Sequence, residues 1–509
     1  MRSSHSSTPA FGGLRHSLLA GIAISLSACA VHPRPFTEAE RAKAAHMDRL
    51  EMIGRQEQVT GPVTLDEAMA RAIHYNLDHR VQIMEEALAQ NQLDLDNFDL
   101  LPKLTAAAGY SARNRLLASR SVGLQTGSTT LPPSYSSDKT DRTYDIGFAW
   151  NLLDFGVSYY EAKEGADQVL VVEQRRRKVI QLLMQQVREA YWEAAGAQRL
   201  EDRIEPLLQQ AREALDESKQ AQHEQLQTPL ETLTYQQNLL EIMRQLQVIR
   251  GHLAEAKPRL ASLMDLEPGT NFTLAPPKDF ALPDFKMPVD RMEELALERR
   301  PDLLEAGYKE RISVNEAHKA LAQLLPGIEV SVGTHYDSNS FLTYSTWQDA
   351  GLRVSWNLLN LLNEKHIRRT ASAQLEVAHE QRLALTMAVL TQVHVARSDL
   401  DAKRHEFELM QQLNDVDQQI LLHTRNAAQA SAEGKLAEIR VATDAMISEL
   451  RLYDTYGELQ GAYGNLLATL GLDPVPETVK EENLATLEQA IGQERQRWAQ
   501  LGGTAGSRK

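Results

Sequence analysis

One cysteine in the whole chain, Cys29, leaves no cysteine partner for a zinc site. The 15 histidines are scattered, with no His-Glu-x-x-His pair, and no glycine-rich loop of Walker or dinucleotide type occurs. No catalytic arrangement, metal or cofactor is therefore expected. His74 and His79 lie five apart on one helix, do not share a face, and read as surface or interface residues. The formal net charge of -15 disfavours nucleic acid, whose phosphates must be met by clustered Lys and Arg. The basic run Arg175-Arg176-Arg177-Lys178 reads as a solvated helix face. Aromatics make up 6%, with 27 glycines and 19 prolines, while Ala, Leu, Gln, Glu and Arg dominate, which is the profile of long helices.

What is present is present twice. Leu100-Leu101-Pro102 returns as Leu324-Leu325-Pro326, and Trp150-Asn151-Leu152-Leu153 returns as Trp356-Asn357-Leu358-Leu359, at spacings of 224 and 206 residues. The first spacing also carries Asp66, Asn76-Leu77-Asp78 and Gly109 onto Asp290, Arg300-Pro301-Asp302 and Gly333; the second carries Leu266-Glu267-Pro268 onto Leu472-Asp473-Pro474. A unit of roughly two hundred residues is duplicated, with one insertion in the first copy, which argues for a pseudo-symmetric architecture.

At the N-terminus Arg15 and His16 precede a short apolar stretch from Ser17 to Leu26, followed by Ser27, Ala28 and Cys29. This reads as an export signal, being too short to span a membrane as a helix. Leu26-Ser27-Ala28-Cys29 resembles a bacterial lipobox, which implies that Cys29 is lipidated and begins the mature chain. Ala30 differs from the aspartate that resembles an inner-membrane retention signal, which favours the outer membrane. From Val31 to about Pro62 no period is sustained, and the stretch reads as a tether.

Each copy starts with short helices. Thr64 and Glu67 stand at capping-box spacing, with Leu65, Ala68, Ala72 and Ile73 on one face. After each Leu-Leu-Pro the period changes to two. Leu104, Ala106, Ala108 and Tyr110 alternate with small or polar residues, as do Tyr144, Ile146, Phe148 and Trp150, then Ile328, Val330 and Val332, then Leu352, Val354 and Trp356. Runs of about ten such residues suit strands of a membrane barrel, although a soluble sheet packed on one face alternates in the same way. The export signal and the aromatics Tyr144, Trp150 and Trp356 favour the membrane reading. Arg113 to Thr140 and His335 to Trp347 then become surface loops.

A long helix follows each hairpin. Leu183, Val187, Ala190, Ala194, Ala197, Leu200, Ile204, Leu207, Ala211 and Leu215 form a seam at steps of three and four. Roughly sixty-five such residues span about 100 Å. Pro206 predicts a kink or break, a constraint its counterpart Gln412 lacks. Chain reversals are expected at Thr228-Pro229 and around Gly434. The organisation read from the chain is a signal peptide over 1–28, a lipidated tether over 29–62, and repeat 1 over 63–270, with strands near 103–112 and 142–152 and helices near 156–226 and 229–265. A linker over 271–288 leads to repeat 2 over 289–474, with strands near 327–335 and 349–358 and helices near 362–432 and 435–471, and then a tail over 475–509, helical from Leu484 to Leu501.

This order resembles the TolC-like outer-membrane factor family. The match rests on Thr64-Leu65-Asp66-Glu67-Ala68, Tyr75-Asn76-Leu77-Asp78, Leu101-Pro102, Trp150-Asn151-Leu152-Leu153-Asp154-Phe155-Gly156, Gly434 and Leu470-Gly471-Leu472, over roughly residues 60 to 475. The resemblance implies a mainly α fold with a membrane β part, in which a homotrimer closes twelve strands into one barrel continued by a helical tunnel. It implies outer-membrane lipid around the barrel, and a periplasmic adaptor protein and an inner-membrane transporter as partners. Family members carry aspartates a few residues after the tip glycine, at an acidic tunnel entrance; the corresponding positions here are Thr234 and Arg440. Glu231, Glu438 and Asp444 lie close by and could supply the charge instead, or could be ordinary solvent-facing carboxylates. The leading reading is a passive exit duct of an efflux or type I secretion system. The competing one is a periplasmic coiled-coil lipoprotein without a pore.

Overall fold

The computed structural model describes residues 33–54, 56–129, 132–224, 229–277, 280–282, 285–427, 432–474 and 483–501. The stretch expected to be a signal peptide, Cys29 and Thr228 lie outside them. The chain divides into a unit up to Glu57 and a unit from Gln58 onwards. In the first, helix α1 (Glu38–Ile53) occupies a stretch whose lack of period suggested an unstructured tether. The cause is local: Thr37 and Glu40 form a reciprocal capping box, the Thr37 backbone N–H donating to Glu40 Oε2 at 2.8 Å.

The second unit realises the duplication element by element. Copy one comprises α2 (Leu65–Tyr75), α3 (Leu77–Phe98), strand β1 (Lys103–Ala112), the small loop strands β2 (Ala118–Ser119) and β3 (Ser134–Tyr135), β4 (Thr140–Asn151), α4 (Leu152–His223) and α5 (Pro229–Leu263). Copy two comprises α6 (Val289–Arg299), α7 (Pro301–Ala322), β5 (Gly327–Asp337), β6 (Thr346–Ser355), α8 (Leu358–Ala427) and α9 (Ala432–Thr469), and α10 (Leu484–Leu501) follows. The paired short helices have identical lengths, 11 and 22 residues, and the longest helices have 72 and 70.

The repeated motifs mark the junctions. Asn151 and Asn357 each turn a side-chain oxygen onto the backbone N–H two residues on, at 3.0 and 3.2 Å, and so start α4 and α8 directly behind the strands. This is why helix begins at Leu152 and Leu358, four residues before the places read from the apolar pattern. Leu-Leu-Pro marks the opposite junction, from α3 into β1 and from α7 into β5.

The four long strands form one antiparallel sheet in the order β1-β4-β5-β6, so that the β4–β5 pairing joins the two copies. All ten residues of the predicted helical seam are buried, along α4's contacts with α5 and α9. Pro206 lies inside the uninterrupted α4, not at a break; buried Ile204, Leu207 and Leu208 hold the helix on either side of it. The basic run is only partly a solvated face: Arg175 and Lys178 are exposed, but the three arginines are engaged by other elements. Arg175 reaches Glu305 of α7 at 2.9 Å, Arg176 reaches Glu86 of α3 at 2.8 Å, and Arg177 reaches Asp473 behind α9 at 2.5 Å. His79 also departs from the surface reading: it is fully buried, its Nδ1 2.7 Å from the Ile73 carbonyl oxygen. In the tail, α10 packs on α2 through buried Leu487 and Ile491.

Candidate functional site

No helix among the described residues is long and apolar enough to cross a membrane, and no cluster of three or more His, Cys, Asp or Glu among them could hold a metal ion. The surfaces that matter are the two faces of the sheet and the tips of the long helices.

Directly paired residues in an antiparallel sheet share a face. The register therefore places Leu104, Phe148 and Val332 in one row, and Tyr144 and Tyr336 in another. Leu104 and Leu352 are 73% and 72% exposed, and Ile146, Val332 and Val354 are more than half exposed. Such a contiguous apolar surface is foreign to a water-facing sheet. Aromatics stand at both ends. Tyr144 and Tyr336 have ring centroids 5.6 Å apart, and Trp150 meets Phe155 at 5.7 Å. The six residue steps from Tyr144 to Trp150 span about 20 Å of strand, close to the apolar band of about 25 Å of an outer-membrane barrel. Trp356 falls just beyond β6, where its Nε1 donates to the Leu324 carbonyl at 3.0 Å.

The other face is polar. It carries Asp141, Asp145, Glu329, Asp337 and Asp349 against Arg353 and His335. His335 lies between two carboxylates, with Nδ1 2.6 Å from Asp145 and Nε2 3.2 Å from Asp349, and stacks on Trp347 at 5.3 Å. Gly333 makes room for it, since a Cβ there would lie 2.6 Å from His335 Nε2. The expected strands, ending at 335 and starting at 349, include all three residues, but the pairing register that brings them together is not written in the strand pattern. Pairing continues outward because the loops are stitched together: Arg142 N–H donates to Ser338 Oγ at 2.8 Å, and Asn339 Nδ2 donates to the Ser136 carbonyl at 3.1 Å.

At the helix tips, Pro229 is the first residue of α5, where its missing N–H is harmless. Gly434 lies in the first turn of α9. The four predicted entrance residues divide between these helices, with Glu231 on α5 and Glu438, Arg440 and Asp444 on α9. Glu231, Arg440 and Asp444 are exposed, and Glu438 shares its charge with Arg425 of α8 at 3.5 Å. Although Asp444 is exposed by surface area, partial desolvation of its carboxyl raises it above its ordinary value, with Arg440 opposing and Asp417 of α8 adding to the shift. Thr234, at one expected aspartate position, turns its hydroxyl back to the Leu230 carbonyl at 2.9 Å. Lys435 crosses between the two hairpins to Glu217 of α4 at 2.9 Å. Asp417, Arg425 and Glu217 were not legible as tip residues, because their partners lie on other helices.

No protein-family model matches the chain, and no curated protein matches it. Solved structures do. The chain is similar to the Campylobacter jejuni CmeC outer membrane channel at 10% identity and TM-score 0.63, with 93% of this chain and 97% of that one covered. It is similar to the outer membrane protein VceC from Vibrio cholerae at 15% identity and TM-score 0.59, covering 80% and 96%. To the Neisseria gonorrhoeae MtrE outer membrane channel, solved in its open state, the figures are 15% and 0.58, covering 80% and 89%. The chain thus has the TolC-like fold that its repeated motifs resemble.

Proposed function

We propose that this chain is one protomer of a homotrimeric, passive exit duct in a bacterial outer membrane. The observation that carries the reading is the sheet: four strands, apolar and exposed on one face, charged on the other, and open at β1 and β6. Open strand edges cannot persist in lipid. Pairing β1 of one protomer with β6 of the next closes twelve strands, removes every edge, puts the apolar face against lipid and turns the charged face to a wet lumen. The long helices, about 110 Å at 1.5 Å per residue, continue the lumen into the periplasm.

In this reading Cys29 is acylated and anchors the chain to outer-membrane lipid, and the helix tips dock to a periplasmic adaptor and an inner-membrane transporter, which supplies the energy and chooses the cargo. The chain carries out no chemistry of its own. Glu231, Glu438 and Asp444 supply the negative charge of the tunnel entrance, and opening is a relaxation of the tip helices that the partners bias. Single-channel recordings of a Glu231→Ala, Glu438→Ala, Asp444→Ala protein test the entrance: reduced cation preference is expected, and an unchanged one would remove these residues from the role.

A non-channel periplasmic scaffold has no use for an exposed apolar sheet face. Gel migration separates the two readings. The duct runs as a trimer that persists in detergent and collapses on heating, whereas a scaffold shows no heat-modifiable species.

A further inference from the structure

Beneath α10, away from both the sheet and the helix tips, lies a cavity of about 470 Å³ bounded by α2, α4, α9, α10 and the segment around Ala281. Arg188 projects from α4 into its wall. The residue is 4% exposed, and burial and charges at a distance, with no hydrogen bond among them, are what act on its guanidinium. Its neighbours are aromatic, with the Tyr463 ring centroid 6.0 Å away. Burial and the nearby Arg495 pull the guanidinium down to about 10, a direction opposite to that of a paired arginine.

The carboxylates nearby are engaged elsewhere. Asp66 holds Arg495 at 2.8 Å, Glu67 holds Arg71 at 2.8 Å, and Glu488 accepts from the Thr64 hydroxyl at 3.1 Å. Trp192, also on the wall, has a buried Nε1 without a hydrogen-bond partner among the described residues. Among the described residues that line the cavity, two guanidiniums, Arg188 and Arg495, face one carboxylate, Asp66, an excess of one positive charge. A buried unpaired cation is costly, and a volume of this size suits a small organic ligand. The rest of the wall is apolar or aromatic: Leu65, Pro277, Leu282 and Tyr456.

We infer that this cavity binds a small organic monoanion, a carboxylate on an aromatic or aliphatic body, with Arg188 as its counter-ion and Arg495 and the Trp192 N–H at its side. The charge excess selects a monoanion over a dianionic phosphate, and the aromatic wall selects a ligand with an apolar body over acetate. Bound there, the anion joins the tail helix to α4 and α9 and stabilises the folded protein in proportion to its occupancy.

The test uses the full-length protein in detergent with benzoate as probe, and benzamide, acetate and sodium chloride as controls. Benzoate is expected to protect Arg188 from phenylglyoxal, followed by peptide mapping, and to raise the melting temperature, while benzamide and equal ionic strength do neither. Arg188→Gln is expected to weaken benzoate binding at least tenfold and to fold normally, since it removes a buried unpaired charge. Equal protection by benzamide or chloride overturns the inference, as does undiminished binding by the variant. If Arg188 reacts in the monomer but never in the trimer, with or without benzoate, the partner subunit covers the cavity and the inference fails. The protection experiment uses the native sequence, so it decides even if the variant does not fold. None of these outcomes bears on whether the sheet closes a channel.

Discussion

His335 Nδ1 lies 2.6 Å from the Asp145 carboxylate, directly across the strand pairing that joins the two copies of the repeat. The two residues place charge on the sheet's polar face at the seam of the duplication, with Asp349 completing the group from β6. If that face lines a lumen, its excess of carboxylates favours cations inside. Asp145→Asn and Asp349→Asn should each lower the cation-to-anion permeability ratio, read as a smaller reversal potential under a potassium chloride gradient. An unchanged potential would place these residues outside the conducting path.

The apolar face makes the complementary prediction. Ile146→Arg should cost about 2–4 kcal/mol in the stability of the protein folded into lipid vesicles, the range for a cation at the bilayer midplane of a barrel. Ala107→Arg, one step away in register on the polar face, should cost far less. Urea unfolding in vesicles measures both, and equal costs would deny the two faces different surroundings.

Gly471 ends α9 at φ +69, with the Leu472 N–H returning to the Leu467 carbonyl at 3.0 Å. A Cβ there would stand 2.6 Å from the Arg299 carbonyl carbon, which is backbone and cannot swing aside. Gly471→Ala should therefore cost more than the roughly 1–2 kcal/mol of a left-handed alanine alone. Its counterpart in the first copy, Asp265, already takes φ 57 as a non-glycine residue. Asp265→Gly should be neutral or stabilising in the same denaturant titration.

Asp454 on α9 supplies a pH dependence. Burial, with Glu193 and Glu458 adding and His252 opposing, pushes its carboxyl from 3.8 up to about 6. A raised carboxyl is favoured in the folded state while protonated, so its contribution is complete below about pH 4 and is lost as pH rises towards 6. Stability measured across that window should fall less for Asp454→Asn than for the native protein. Parallel pH curves would mean that Asp454 titrates as an exposed carboxyl.

The legible parts of the fold were those written in short-range pattern. Strand alternation, the seam from Leu183 to Leu215 and the doubled Leu-Leu-Pro and Trp-Asn-Leu-Leu motifs place every long element. Helix α1 escaped because its large apolar residues, Met47, Leu50, Met52 and Ile53, cluster at its C-terminal end and sustain no period along it, although its Thr37-x-x-Glu40 box was there to be read. What depends on distant partners could not be read. Arg175, Arg176 and Arg177 meet acids roughly 90 to 300 positions away, and His79 is buried through a turn of the chain that its spacing from His74 does not reveal. The His335 group was hidden because it depends on the register between β4, β5 and β6, which sets Asp145 opposite His335 and which alternation alone does not fix. The tip carboxylates were visible as charges, but Arg425 and Asp417, which modulate them, lie across the hairpin.

The central claim is that three copies of this sheet close around a lumen. Conductance across a planar lipid bilayer of the purified full-length protein tests it most directly. The account predicts discrete, cation-preferring steps from the heat-modifiable trimer, with none from the heat-dissociated protein. A native trimer that inserts into the bilayer and conducts no ions would contradict it.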